Sequence, residues 1–217
     1  MATVFIAGAT GYMGRALIPE LTGRGHWVRA LARPGSIGKL PQRCEIVTGD
    51  ALAASTYQER VQGADTFVHL VGVSHPGPAK AEQFRTIDLA SVRESVAAAK
   101  SGGVRHFVFV SVAHPAPMMQ AYIATRMAAE QLILDTGLDV TILRPWYVVG
   151  PGHRWPVVLR PAYWVLEHIP GTREPALRLG LVTWREMRSA LVEAVEYPAS
   201  GVRIVAVPEI RKSRRLG

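Results

Sequence analysis

The sequence is short of cysteine: Cys44 stands alone in 217 residues, which excludes a disulfide framework and any cysteine-based zinc cluster. Long hydrophobic runs are also missing, none reaching the roughly 18–20 residues of a membrane span. No basic stretch precedes the apolar start MATVFIAGATGYMG, so no signal peptide is expected and a cytoplasmic protein is the default. Histidines at metal-ligand spacing are lacking too, and no metal site is predicted. Acidic residues are few, 17 against 25 basic ones, for a formal charge of +8. That balance suits phosphorylated ligands as well as nucleic acid or anionic surfaces. The arginines are scattered, however, and only Arg211, Lys212, Arg214 and Arg215 form a run. A terminal run of this kind reads as a solvated tail, which argues against a dedicated nucleic-acid surface.

What is present is a regular alternation. Thr3–Ala9, Trp27–Ala32, Cys44–Val47, Thr66–Val71, His106–Val112 and Val140–Leu143 read as strands of continuous rather than alternating apolarity. Between them, residues 12–23, Thr86–Lys100 and Tyr122–Leu134 carry helical spacing. Strands buried on both faces and separated by helices imply a doubly wound α/β fold with a parallel, Rossmann-type sheet. After Gly150 the texture changes: residues 151–175 hold five prolines and read as an irregular or short-helical cap. Trp184–Glu196 reads as a helix and Val202–Val207 as a last strand. The expected organisation is one domain, with a nucleotide-binding core over 1–150 and a small C-terminal cap over 151–217.

Chemistry enters with Gly8-Ala-Thr10-Gly11-Tyr12-Met13-Gly14, which closes the first strand and opens the first helix. Glycines are needed there for a tight turn, for close approach of backbone to a pyrophosphate and for packing of helix on strand. The helix start adds free N–H groups and the positive end of its dipole. About 20 residues further on, a carboxylate would bind a ribose 2′-hydroxyl and an arginine would accommodate a 2′-phosphate. Arg33 stands at that point, with Arg29 on the same strand parity and Arg15 just past the loop, and no acidic residue lies between 21 and 44. A guanidinium fork suits phosphate, so NADP is expected over NAD.

GATGYMG, the ALARP end of the second strand, Gly49-Asp50, HLVGV (69–73) and LRPWYVVGPG (143–152) occur in this order. Together they resemble the short-chain dehydrogenase/reductase superfamily, in its extended or atypical branch with NmrA-like and epimerase-like members. The resemblance covers roughly residues 2–155. It implies Asp50 and Ala51 near an adenine, Val71 and Gly72 beside the cofactor, and Pro145, Trp146, Tyr147 and Val148 along the nicotinamide. In active members a tyrosine and a lysine four residues later sit on one helix, with a Ser or Thr near the end of the preceding strand. The matching tyrosine is Tyr122, the lysine position holds Arg126, and the hydroxyl position falls near Val112, with Ser111 one residue earlier.

Arginine supplies positive charge but cannot relay protons at neutral pH. Two of three catalytic roles are therefore altered, which disfavours fast carbonyl reduction. Two outcomes stay open. One is an NADP-dependent reductase acting on a flat, delocalised small molecule such as a flavin or quinone. The other is a non-catalytic NADP-binding regulator or assembly factor. His75, His114 and His153, in loops after the fourth, fifth and sixth strands, are candidate proton donors. Trp146, Tyr147 and Trp155 are candidates to line an apolar pocket, while His69 inside a strand reads as a core residue.

Overall fold

The computed structural model describes residues 1–74, 76–150, 158 and 160–213. Its main sheet has seven parallel strands in the order β3-β2-β1-β4-β5-β6-β9. These are β1 Thr3–Ala7, β2 Trp27–Ala32, β3 Glu45–Thr48, β4 Thr66–His69, β5 His106–Val110, β6 Asp139–Arg144 and β9 Val202–Ala206. Order reverses between β1 and β4, and in an open α/β sheet a crevice forms at such a point beyond the carboxyl ends of the strands.

Continuous apolarity serves both faces of the sheet, because successive side chains of a strand point in opposite directions. Val4 and Ile6 of β1 face Leu17, Ile18 and Leu21 of α1 (Tyr12–Gly23). Phe5 and Ala7 face the opposite core, which holds Val92 and Val96 of α3 (Ala90–Ser101) and Ala129 and Ile133 of α4 (Gln120–Leu134). A short α2, Ala81–Gln83, leads through the π-helical stretch Phe84–Leu89 into α3, so this helix starts five residues earlier than its spacing suggests. The first, fourth and fifth strands are shorter than their apolar runs: β1 stops at Ala7 because Gly8, at φ +83, turns the chain.

Past residue 150 lie α5 Arg160–His168, α6 Arg173–Arg178, α7 Trp184–Glu196 and α8 Val207–Lys212. Thr183 and Glu186 form a capping box at the start of α7, which satisfies the backbone donors there. Met187, Leu191 and Val195 bury that helix against the α1 side of the sheet. Tyr147–Val149 and Leu181–Thr183 pair as β7 and β8 in a separate two-stranded sheet. The last strand, β9, runs beside β6 in the main sheet, so residues past 150 complete the core sheet.

Candidate functional site

A cavity of about 490 Å³ lies beyond the ends of β1, β2, β3 and β4. Its floor is the glycine loop. A Cβ on Gly8 would stand 2.6 Å from the backbone carbonyl carbon of Leu70, and one on Gly14 would stand 2.6 Å from the Cα of Ala9. Neither approach tolerates a side chain, so strand ends and helix meet here only through glycine. Gly11 is the N-cap of α1, has no side chain to cap it, and the first turn carries no acidic residue. The N–H groups of that turn therefore lack intrahelical partners and face the cavity end of the helix with its positive dipole. This backbone cradle fits a dinucleotide pyrophosphate.

Of the residues singled out in the sequence, Gly8, Thr10, Gly11, Arg33, Asp50, Ala51, Val71 and Gly72 line the cavity together. Arg33 is exposed at the end of β2 and, among the described residues, its guanidinium has no partner. Arg29 is a correction. Its Nε lies 3.2 Å from Glu45 and its Nη1 donates to the carbonyls of Arg60 and Gln62, so it braces β2 against β3 and is not free for a phosphate. Arg15 is exposed on α1 and does not line the cavity. Asp50 accepts the N–H of Leu52 at 3.0 Å while its own N–H goes to Thr56, which shapes the turn that follows β3.

Tyr12 begins α1, but its ring packs 4.4 Å from that of Trp184 and its hydroxyl lies where a Cβ on Gly150 would be, 2.1 Å away. Burial raises that hydroxyl above its ordinary pKa. The residue thus locks the loop to the segment before the cap. Met13 packs on the α1 core, as do Trp146 and Val148, and Trp146 also touches the small cluster of Val112, Ala116 and Ile123. Pro145 ends β6 and Tyr147 opens β7; neither lines the cavity.

Ser111, Tyr122 and Arg126 do not line the cavity, and Arg126 reaches its wall at Gly72. Ser111 is 3% exposed and its hydroxyl has no hydrogen-bond partner among the described residues. Tyr122 sits edge-on to Phe84, with ring centroids 5.1 Å apart. The guanidinium of Arg126 lies 5.2 Å from the Tyr122 ring centre and 5.6 Å from that of Phe109. It donates to Asp88 at 3.1 Å and to the Val110 carbonyl at 3.3 Å. A Cβ on Gly72 would meet its Nη2 at 2.5 Å, so glycine is needed there to admit the guanidinium.

Asp88, 1% exposed, also accepts the N–H of Val73 at 2.8 Å. Burial pushes its carboxyl above the ordinary carboxylate range, while Arg126 and the Val73 N–H pull the other way. His69 is fully buried, bonded to Ser95 and Ser91, and held neutral down to about pH 3 by burial and by Arg126. It is a core residue. His114 lies 3.7 Å from Glu130 of α4, which also binds Arg144. His75, His153 and Trp155 lie outside the described residues.

Sequence reasoning missed Asp88, whose signal is an acid in the helix after the fourth strand, and Lys80, Gln83 and Ile87, which line the cavity from the segment before it. The whole arrangement can hold a nicotinamide dinucleotide. The guanidinium beside Tyr122 is committed to a carboxylate and cannot relay a proton.

Residues 8–156 match the NAD(P)H-binding family. The chain is 29% identical over 151 residues to a ceramide reductase of Caulobacter vibrioides, covering 69% of this chain and 47% of that protein. It is 27% identical to a farnesyl-dihydroquinoline-oxide ketoreductase of Stigmatella aurantiaca, covering 67% and 50%. The chain thus spans about half the length of these two reductases. Among solved structures it is similar to the Bordetella bronchiseptica enzyme WbmH in complex with NAD+, at TM-score 0.69 and 22% identity over 95% of this chain and 76% of that one. The UDP-N-acetylglucosamine 4-epimerase of Bacillus cereus gives TM-score 0.69 at 15% identity, covering 98% and 84%. These likenesses show the fold.

Proposed function

The chain belongs to the NAD(P)H-binding family, and from that premise we propose that it is an NADPH-dependent reductase of the short-chain dehydrogenase/reductase type. Its substrate is a flat, conjugated small molecule such as a flavin or quinone rather than a simple carbonyl compound.

The observation that carries this reading is the pairing of an intact dinucleotide cradle with a catalytic helix whose cation is locked away. Bound at the cavity, the dinucleotide would supply a hydride. The glycine loop and the start of α1 would hold its pyrophosphate, and the unpartnered Arg33 would take the 2′-phosphate with charge-assisted hydrogen bonds. Val71 and Gly72 would form the wall behind it, stiffened by the Asp88 contact to Val73. Reduction of a simple carbonyl also needs a donor to the developing alkoxide. Tyr122 stands at the family position for that task, yet its neighbour Arg126 is bound to Asp88 and the matching hydroxyl position is Val112. A conjugated acceptor spreads the incoming charge and takes its proton from water, so it makes no such demand. The names of the relatives, a ceramide reductase and a farnesylated quinoline-oxide ketoreductase, support a reductase of apolar molecules.

A screen of NADPH oxidation over flavins, quinones and aldehydes tests the proposal. Turnover with conjugated acceptors and little with aldehydes is expected. NADPH binding without turnover on any acceptor would refute it and favour a regulator that uses nucleotide occupancy.

A further inference from the structure

Among the described residues, two cations reach the nucleotide cavity, and the function proposed above employs only one of them. The charged residues that line it are Arg33, Asp50 and Lys80. Arg33 follows β2 and Lys80 follows β4, and β1 runs between those strands. Both line the cavity whose floor is the glycine loop, Arg33 from the end of β2 and Lys80 from the segment after β4.

Lys80 ends the 3-10 turn Pro78–Lys80, and its Nζ donates to the Ser74 carbonyl at 2.6 Å. That contact joins two residues that line the cavity and uses one of the three ammonium N–H groups. No carboxylate pairs with Lys80 among the described residues, and nearby Glu82 is paired with Arg85 instead. An ammonium with two open donors thus stands at the β4 side of the cradle. A pyrophosphate carries two negative charges, whereas a helix start offers the equivalent of only about half a positive one.

Resting on the reading of this cavity as a dinucleotide site, we propose that Lys80 binds the pyrophosphate from the β4 side. Lys80 then sets overall affinity, and Arg33 sets the choice between the two dinucleotides.

Calorimetric titration of the wild-type chain, Lys80→Gln and Lys80→Arg separates these roles. The probes are NADPH, NADH, ADP-ribose, which has the pyrophosphate without the 2′-phosphate, and adenosine 2′-monophosphate, which has the reverse. Lys80→Gln is expected to weaken NADPH, NADH and ADP-ribose by about 10-fold or more, from the loss of one charge-assisted hydrogen bond. It should spare adenosine 2′-monophosphate, leave the NADPH-to-NADH ratio unchanged, and be largely reversed in Lys80→Arg. Unchanged affinities in Lys80→Gln would overturn the assignment of Lys80 alone. So would a loss confined to NADPH and adenosine 2′-monophosphate. A wild-type chain that binds none of the four would overturn the dinucleotide reading as well.

Discussion

Asp88 and Arg126 are both almost completely buried, with side-chain exposures of 1% and 7%, and their contact is 3.1 Å. Breaking such a pair by removing one partner leaves an uncompensated buried charge, at a cost of about 3–5 kcal/mol. Asp88→Leu strands the Arg126 guanidinium, and Arg126→Met strands the Asp88 carboxylate. Each single variant should therefore lose about 3–5 kcal/mol, a large part of the roughly 5–15 kcal/mol that holds a domain together. Removing both charges at once leaves no ion to desolvate. What remains is the Val73 N–H without its 2.8 Å acceptor and the Val110 carbonyl without the Arg126 donor, the buried unmade donor costing about 1–3 kcal/mol. The double variant is thus expected to be more stable than either single one, against about 6–10 kcal/mol if the two losses simply added. Urea unfolding followed by tryptophan fluorescence measures all four chains, and equal m-values confirm that the same transition is compared. A double variant destabilised by the sum of the singles, to within about 0.5 kcal/mol, would refute the pairing. It would also reopen the view of Arg126 as a cation free to serve Tyr122.

Cofactor choice follows from Arg33, whose guanidinium has no competing partner among the described residues: NADPH should bind roughly 10–100-fold tighter than NADH, and Arg33→Ala should remove most of the difference while leaving NADH nearly unchanged. Equal wild-type affinities by calorimetry would show that Arg33 is only a surface residue. Stability should also depend on pH through two buried histidines. Burial, with Arg126 nearby, holds His69 at about 3, and burial, with Arg203 nearby, holds His106 at about 4. Both folded values lie below the unfolded value near 6.5, so the unfolded chain takes up protons first as pH falls. The stability present above pH 6.5 is lost toward pH 4, at up to about 1.4 kcal/mol per pH unit for each histidine. A urea midpoint that stays level between pH 7 and pH 5 would contradict this.

The glycine loop was legible in the sequence because its requirement is local. Gly8 needs a positive φ, Gly14 needs room for a helix on a strand, and both conditions attach to residue type and spacing. The parallel sheet was legible for a similar reason, since continuous apolar runs between helical segments have few other ways to be buried. Arg29 and Arg33 show where that legibility ends. Both stand on one strand parity, yet the register that pairs Arg29 with Glu45 across β2 and β3 consumes one guanidinium and leaves the other at the strand end. Arg126 shows the same limit: its spacing from Tyr122 placed it on the right helix face, but Asp88 lies 38 residues away in the chain and claims the guanidinium. Lys80 lines the cavity from eleven residues past the end of β4, held by its contact with the Ser74 carbonyl. Helix starts, turns and apolar periods are written in neighbouring residues, whereas the partner of a charge is set by which strands and helices are brought together. At this site the availability of each cation, and with it the chemistry, was decided by the tertiary structure.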